Sequence, residues 1–438
     1  MIGRVLSTGI PLSTMAVLML SVFTVSIGYG VILPLLPFLI ERLLGASGDA
    51  AEISRATGLL TGLYMLSLFV FAPVWGRLSD RYGRRIILLI GLVGFSITML
   101  IFAFIENLVA VYAERFLSGM FSAAVTPVAL AVIGDIAATE DVRARRLTFV
   151  SLAGISGFLL GPMLGVGVTR AAGSLLPFFS ADGALTLPLA ATAILALLVA
   201  FATAITVPGT RPRDAAAKRG QPASETLPRL MPRLLLLAFI VAAGIGVFEV
   251  GLALRGKQEL GLTQYQIAMM FTLCSVVMFV VQAIVFSPLI KAETTRWFIA
   301  PALSVLAAGL FLVPRASDFT LMLVVIGAVA ASAGILSPIL TYWISNRAGE
   351  AQGAQLGKQT AAASLGAALG SVAGGLLFDV TWLPDAPFLL MTVLTLAGIL
   401  LSLSLPKLLV RCIHTLKAAE LPRARMYGLM YGKAVVRR

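Results

Sequence analysis

Long stretches of this chain carry no charge, and that absence limits its fold more than any motif does. Twelve apolar runs stand out, at about 12–40, 55–75, 86–105, 109–136, 147–169, 184–208, 232–254, 266–290, 296–314, 318–345, 353–378 and 384–405. A helix needs about 20 apolar residues to cross a bilayer, and each run is of that order. The spacing predicts an all-α membrane protein of twelve transmembrane helices. An even number places both termini on one side. Only 12% of residues are charged and 59% are hydrophobic, whereas a soluble domain carries about 25% charged residues. The first run lacks a small-residue cleavage site, so it reads as a retained helix and not as a leader.

The net charge of +13 could be read as a nucleic-acid surface, but its distribution argues otherwise. Most Lys and Arg fall on the links that share a side with the termini, which is the bias of cytoplasmic loops. Both termini are therefore expected in the cytoplasm of a multi-pass inner membrane protein. The expected surroundings are lipid and a small-molecule substrate, with no nucleic acid, and the chain is expected to act as a monomer. Two cysteines, Cys274 and Cys412, set up no disulfide framework. No phosphate-binding loop, metal-ligand cluster or hydrolytic triad is legible. The chain therefore reads as neither an enzyme nor an ATP-driven pump, and it needs no cofactor.

The longest polar link, from Pro208 to Arg233, divides the runs into six and six. The expected units are a bundle at 1–208, a cytoplasmic linker at 209–231, a second bundle at 232–405 and a basic tail at 406–438. The halves look like copies. Phe71-Ala72-Pro73 has a counterpart in Phe286-Ser287-Pro288, and Thr126-Pro127 has one in Ser337-Pro338. Arg81 aligns with Arg296, with Thr295 where Asp80 stands. Gly157, Gly161 and Gly165 in the fifth run match Gly366, Gly370 and Gly374 in the eleventh. A spacing of four makes a smooth strip on one helix face. Together these matches predict two pseudo-symmetric six-helix bundles flanking a midplane site.

Between the second and third runs lies Gly76-Arg77-Leu78-Ser79-Asp80-Arg81-Tyr82-Gly83-Arg84-Arg85. Its charges cannot lie in hydrocarbon, so it is expected to be a tight loop on one membrane face. Gly76 and Gly83 allow sharp turning, Asp80 can cap a helix or pair with an arginine, and Arg81, Arg84 and Arg85 hold the loop on the basic side. The stretch resembles the G-x-L-x-D-R-x-G-R-R signature of the major facilitator superfamily, and every defined position is filled. The resemblance extends over essentially the whole chain.

Within that family, further runs resemble drug:proton exporters of the tetracycline-exporter type. Gly157-x-x-x-Gly161-Pro162-x-x-Gly165 resembles their antiporter motif, although the upstream glycine of the full motif is replaced by Thr148. Physically, the small residues and the proline make a helix able to bend and slide; ordinary close packing is the other reading. The run Ser337-Pro338, Asn346-Arg347, Glu350, Gln352-Gly353, Gly357-Lys358-Gln359 resembles the link between their tenth and eleventh helices. Pro34 and Pro37 resemble their first helix, but the acidic residue that often precedes the first proline is missing, since the chain reads Val25-Ser26-Ile27-Gly28-Tyr29. Arg115 and Gly119 match the family's fourth-helix motif, whose arginine is linked to proton transfer. A Glu114–Arg115 pair that only anchors the helix near the headgroups is the alternative, and it is favoured for Glu114.

Glu249 is the best-placed intramembrane acid of the second half. An unpaired ionised carboxylate there is costly, so it is expected to be protonated, paired or wet. It could carry protons, contact a cationic substrate, or simply bond across to the first helix. Tyr29, Tyr64, Phe248, Tyr342 and Trp343 could line a cavity, though aromatics at helical spacing are more often packing residues. The expected function is proton-coupled efflux of a small amphipathic compound (a drug, siderophore or metabolite) by rocking alternating access. Glu249, Arg115 and Glu114 would couple the proton, while Gly76, Asp80, Arg81, Gly83 and Arg84 would gate the basic face. Import by a proton symporter or facilitator, and a non-transporting assembly role, are the alternatives.

The charge bias makes one direct prediction. In a background without Cys274 and Cys412, a cysteine at Ser224 is expected to resist an impermeant maleimide in intact cells, and one at Ser47 to react. Labelling of Ser224→Cys from outside would overturn the topology.

Overall fold

The computed structural model describes residues 11–45, 48–136, 140–175, 183–209, 230–285, 292–347, 352–380, 383, 385–406 and 408. They form twelve α-helices in two groups of six. The first group is α1 (Leu12–Leu44), α2 (Ala50–Tyr82), α3 (Arg84–Phe102), α4 (Leu108–Ile136), α5 (Glu140–Leu175) and α6 (Gly183–Thr206). The second is α7 (Leu230–Gln258), α8 (Gln264–Val285), α9 (Ile299–Leu312), α10 (Phe319–Arg347), α11 (Gln352–Leu376) and α12 (Ala386–Ser402). A short 3-10 segment, Ala292–Phe298, precedes α9. Phe286-Ser287-Pro288, Glu350, most of the linker and most of the tail lie outside the described residues.

Nine of the described helical segments are long and apolar enough to cross a membrane on length and composition alone. α11 is not among them. It packs against α7 and against α2, so much of its surface meets helices and its Gly, Ala and Gln content is tolerated. α1 and α2 have 33 residues each. At 1.5 Å per residue they run to about 50 Å and must project beyond a hydrocarbon core of about 30 Å.

The packing repeats between the halves. α1 packs on α5 and α6, α2 on α4, and α3 on α4 and α6; α7 packs on α11 and α12, α8 on α10, and α9 on α10 and α12. Each half has its own apolar core. The halves meet through α2 with α11 and through α5 with α8, again a matched pair. The glycine strips lie where this repetition begins. A Cβ built on Gly161 would stand 2.8 Å from the Ile27 carbonyl oxygen and 2.9 Å from Gly30 Cα, so α5 touches α1 backbone to backbone. Gly370 makes the same approach to Ala243 on α7.

The stretch Gly76–Arg85 corrects the sequence expectation. It is not a loop. α2 continues through Tyr82, and α3 starts at Arg84. Gly83 alone makes the corner, at φ 101° and ψ 144°, with its N–H donating to the Ser79 carbonyl at 3.1 Å. A side chain is strained at that φ. The other residues can stay helical because α2 already projects past the apolar zone.

α2 and α11 form a wedge. Near the start of α2, a Cβ on Gly58 would meet Gly375 Cα at 2.6 Å and the Ser371 carbonyl at 2.7 Å. Gly76 and Gly357 lie five helical turns, about 27 Å, away on the same faces of their helices. A Cβ on either would meet nothing within 4 Å. The halves therefore touch at the face opposite the Gly83 corner and splay on the corner face. The closed face is also tied by polar contacts. Lys257 Nζ reaches Glu41 and the Pro37 carbonyl, each at 2.8 Å, and Gln258 Nε2 donates to Ser54 Oγ at 3.1 Å.

A larger residue at the wedge apex is expected to pry the closed face open. In Gly58→Val the overpacking costs about 1–3 kcal/mol, enough to shift the balance of states by about fivefold or more. Spin labels at Arg55 and Asp379 report this by double electron–electron resonance. A longer-distance population is expected to grow, and an unchanged distribution would show that this contact does not control closure.

Candidate functional site

A cavity of about 180 Å³ opens within the first bundle, among Tyr29 of α1, Tyr64 and Met65 of α2, Ser122 and Thr126 of α4, and Phe158 of α5. Its walls are mostly aromatic and apolar, with two hydroxyl-bearing residues from α4. Tyr29 stacks with Tyr64, ring centroids 5.3 Å apart and planes 18° from parallel. It stacks with Phe158 as well, at 5.7 Å and 26°. The Tyr64 hydroxyl donates to Ser122 Oγ at 3.1 Å.

A carboxylate of the other bundle bonds to one wall of this cavity. Tyr29 Oη donates to Glu249 Oε2 on α7 at 2.8 Å. Glu249 keeps partial exposure, so it is neither sealed in the core nor freely solvated. Of the three sequence readings of Glu249, the bond across to the first helix is present. That bond does not remove the other two, because a carboxylate held by one neutral donor keeps its remaining lone pairs for a proton or a cation.

Arg115 and Glu114 lie at the other end of the same aromatic array. Arg115 Nε and its Nη2 donate to the two oxygens of Glu114 at 2.6 and 2.8 Å. Both side chains are almost wholly buried, at 2% and 1% exposure. The guanidinium lies 4.5 Å from the Phe102 ring centroid and 5.6 Å from that of Tyr64. The Glu114–Arg115 pair expected from the sequence is therefore present, and it is buried among α2, α3 and α4. A long run of contacts thus connects Glu114, Arg115, Tyr64, Tyr29 and Glu249, although the last is on the opposite bundle.

Other candidates fall elsewhere. Asp80 pairs with Arg84 at 2.6 Å, one turn on, and Arg84 also binds Asp135 at the end of α4 at 2.9 Å. Arg85 donates to the Ala204 carbonyl on α6, and Arg81 lies over its neighbour Tyr82. Asp80 remains half exposed, on the splayed face. Gly157, Gly161 and Gly165 run along α1, and Pro162 lies within α5. Phe248 and Trp343 are core residues, each 1% exposed. Trp343 Nε1 donates to Thr295 Oγ1 at 3.2 Å, and Tyr342 packs edge-on against its ring. Gln359 Nε2 donates to Thr341 Oγ1 at 2.6 Å, tying α11 to α10.

Phe158 is a cavity wall that the glycine spacing hides, because the motif's meaning is carried by the small residues around it. A usable signal is present all the same, since Phe158 follows Gly157 directly and so lies beside the α1 contact. Lys257 is equally easy to miss, because a basic residue at the end of a span reads as an interfacial anchor.

The chain is similar to known proteins along most of its length. The family model described as Major Facilitator Superfamily matches residues 18–357 and 234–426. Multidrug resistance protein 1 of Bacillus subtilis (strain 168) is 28% identical over 400 residues, 89% of this chain and 96% of that protein. The quinolone resistance protein NorA of Staphylococcus aureus (strain COL) is 26% identical over 395 residues, 88% and 95% of the two chains. Among solved structures, the crystal structure of the D-xylose-proton symporter aligns with a TM-score of 0.70 at 17% identity, over 90% of this chain and 96% of that one. The human organic anion transporter MFSD10 aligns with a TM-score of 0.67 at 19% identity, over 90% and 100%.

The buried pair makes a prediction of its own. Removing one partner strands a charge, which costs about 3–5 kcal/mol in a buried setting. Arg115→Gln and Glu114→Gln are each expected to lower the melting temperature of the detergent-purified protein. The double variant Glu114→Gln/Arg115→Gln is expected to melt higher than either single variant. Additive losses would show that the two groups are not coupled.

Proposed function

The chain belongs to the Major Facilitator Superfamily, and from that premise we propose that it is a proton-coupled exporter of small amphipathic cations. It is a multi-pass membrane transporter. The observation that carries the reading is the meeting of an aromatic-walled cavity in one bundle with a partly exposed carboxylate, Glu249, from the other. Flat apolar groups stack on aromatic rings, and a cationic centre is attracted both to ring faces and to the carboxylate. The names of the relatives, multidrug and quinolone resistance proteins, agree with this chemistry.

The cycle runs as follows. With the corner face open and the far face closed, a cationic amphiphile enters from the corner side and takes Glu249 as its counter-charge. The bundles rock about the cavity until the far face opens. A proton then occupies Glu249, the attraction for the cation is lost, and the substrate leaves. The protonated state returns to the first arrangement and releases the proton there. Glu114 and Arg115 set the field at the other end of the aromatic array. Gly76, Asp80, Arg81, Gly83 and Arg84 act as the gate of the corner face: the Asp80–Arg84 pair present in the splayed state is available to exchange partners when that face closes. The small strip Gly157, Gly161, Pro162 and Gly165 is the surface along which α5 moves against α1.

In this reading the corner face, both termini and the 209–231 linker face the cytoplasm of a bacterial inner membrane. The proton gradient supplies the energy with no cofactor, and one chain suffices for transport.

The decisive variant is Glu249→Gln, which keeps shape and hydrogen bonding but cannot lose a proton. In proteoliposomes its ethidium counterflow is expected to persist only at a raised KM, because the neutral side chain no longer offers the cation a counter-charge. Its pH-jump-driven transport is expected to fall by at least about tenfold, the factor corresponding to about 1.4 kcal/mol. Full pH-driven transport in this variant would remove Glu249 from coupling and leave Arg115 with Glu114, or Asp135, as the next groups to test.

A further inference from the structure

The first helix has no acid to offer the cavity, but it does supply a donor aimed at the acid of the other bundle. The Tyr29–Glu249 bond, at 2.8 Å, joins residues 220 positions apart. The ring behind that hydroxyl is fixed. Tyr64 and Phe158, from α2 and α5, both stack on it. Tyr64 is itself held by its bond to Ser122 and by the guanidinium of Arg115. Those same three rings are walls of the cavity.

A guest that stacks in the cavity therefore competes for the faces of Tyr29. A hydrogen bond weakens steeply once its geometry is lost, so a modest rotation of the ring takes the hydroxyl off Glu249. A half-buried carboxylate that loses its donor has to find another partner, which here is a proton or the cationic guest. We propose that Tyr29 is a positioning residue of the coupling site: its ring senses what occupies the cavity and its hydroxyl sets the availability of Glu249. This rests on the reading of Glu249 as the coupling acid. It adds the means by which cavity occupancy and the state of the acid are connected, across the interface between the bundles.

The test uses the full chain in proteoliposomes with Tyr29→Phe, which keeps the stack and removes the hydroxyl. One arm needs no substrate. N,N′-dicyclohexylcarbodiimide modification of Glu249, followed by peptide mass spectrometry with Glu249→Gln as the blank, is expected to be about tenfold faster in Tyr29→Phe, as befits loss of a hydrogen bond to a charged group. The second arm is ethidium transport. Tyr29→Phe is expected to keep the KM of counterflow within about twofold while the maximum rate of pH-driven transport falls about tenfold. Tyr29→Leu, which loses the ring as well, is expected to raise KM too. An unchanged modification rate in Tyr29→Phe overturns the inference. So does a parallel change of KM and maximum rate in Tyr29→Phe, the mark of a merely structural role. If Glu249→Gln retains driven transport, the coupling reading falls by itself, while the modification arm still reports whether Tyr29 holds the carboxylate.

Discussion

Close approach of helix backbones is the constraint on which the rest of this molecule depends. Hydrocarbon does not drive apolar helices together, because lipid tails are as apolar as leucine. Contact has to come from shape. Where Gly161 meets Ile27 and Gly30, and where Gly370 meets Ala243, the side chain is absent and the backbones touch. These two junctions fix α1 against α5 and α7 against α11. They place the helices that carry Tyr29, Phe158 and Glu249. A third such junction, Gly58 against Gly375, closes the far face. It differs from the others because it joins the two bundles, so it has to break if the molecule is to rock.

The polar groups follow from this frame. Charges inside the membrane zone survive only where a partner is fixed. Arg115 has a bidentate carboxylate and two aromatic faces, which leaves it little freedom. Glu249 is different. It has a single neutral donor and partial exposure, so its state is open to change. The contrast separates a group that stabilises one arrangement from one able to respond to its surroundings. It also sets Glu249, at the junction of the bundles, apart from the groups held within either core.

Much of this architecture is legible in the amino-acid sequence. The twelve apolar runs locate the helices, because crossing the bilayer imposes a length, although Ala50–Tyr82 and Glu140–Leu175 extend well beyond their runs at both ends. The glycine spacing of four marks the touching faces of α5 and α11, because the helical period is fixed. Other features are not legible there. The charged run from Gly76 to Arg85 reads as a loop, yet it is helix on both sides of Gly83, since polarity marks where a segment leaves hydrocarbon and not whether it unwinds. Glu114 reads as the partner of Arg115, and it is, but the burial of the pair between helices is not legible, because position along a span says nothing about what covers the side chain.

The amino-acid sequence by itself determined the number of helices, the division into two repeats and the position of Glu249 along α7. Each depends on local composition or period, which act within one segment. Only the tertiary structure decided that Glu249 faces Tyr29, that Phe158 and Tyr64 clamp that ring, and that Lys257 closes on α1. Those pairings depend on the rotation and tilt of helices far apart in the chain. A periodic pattern states which face of a helix is buried; the close contacts of glycine with a neighbouring backbone determine which residues that face will meet.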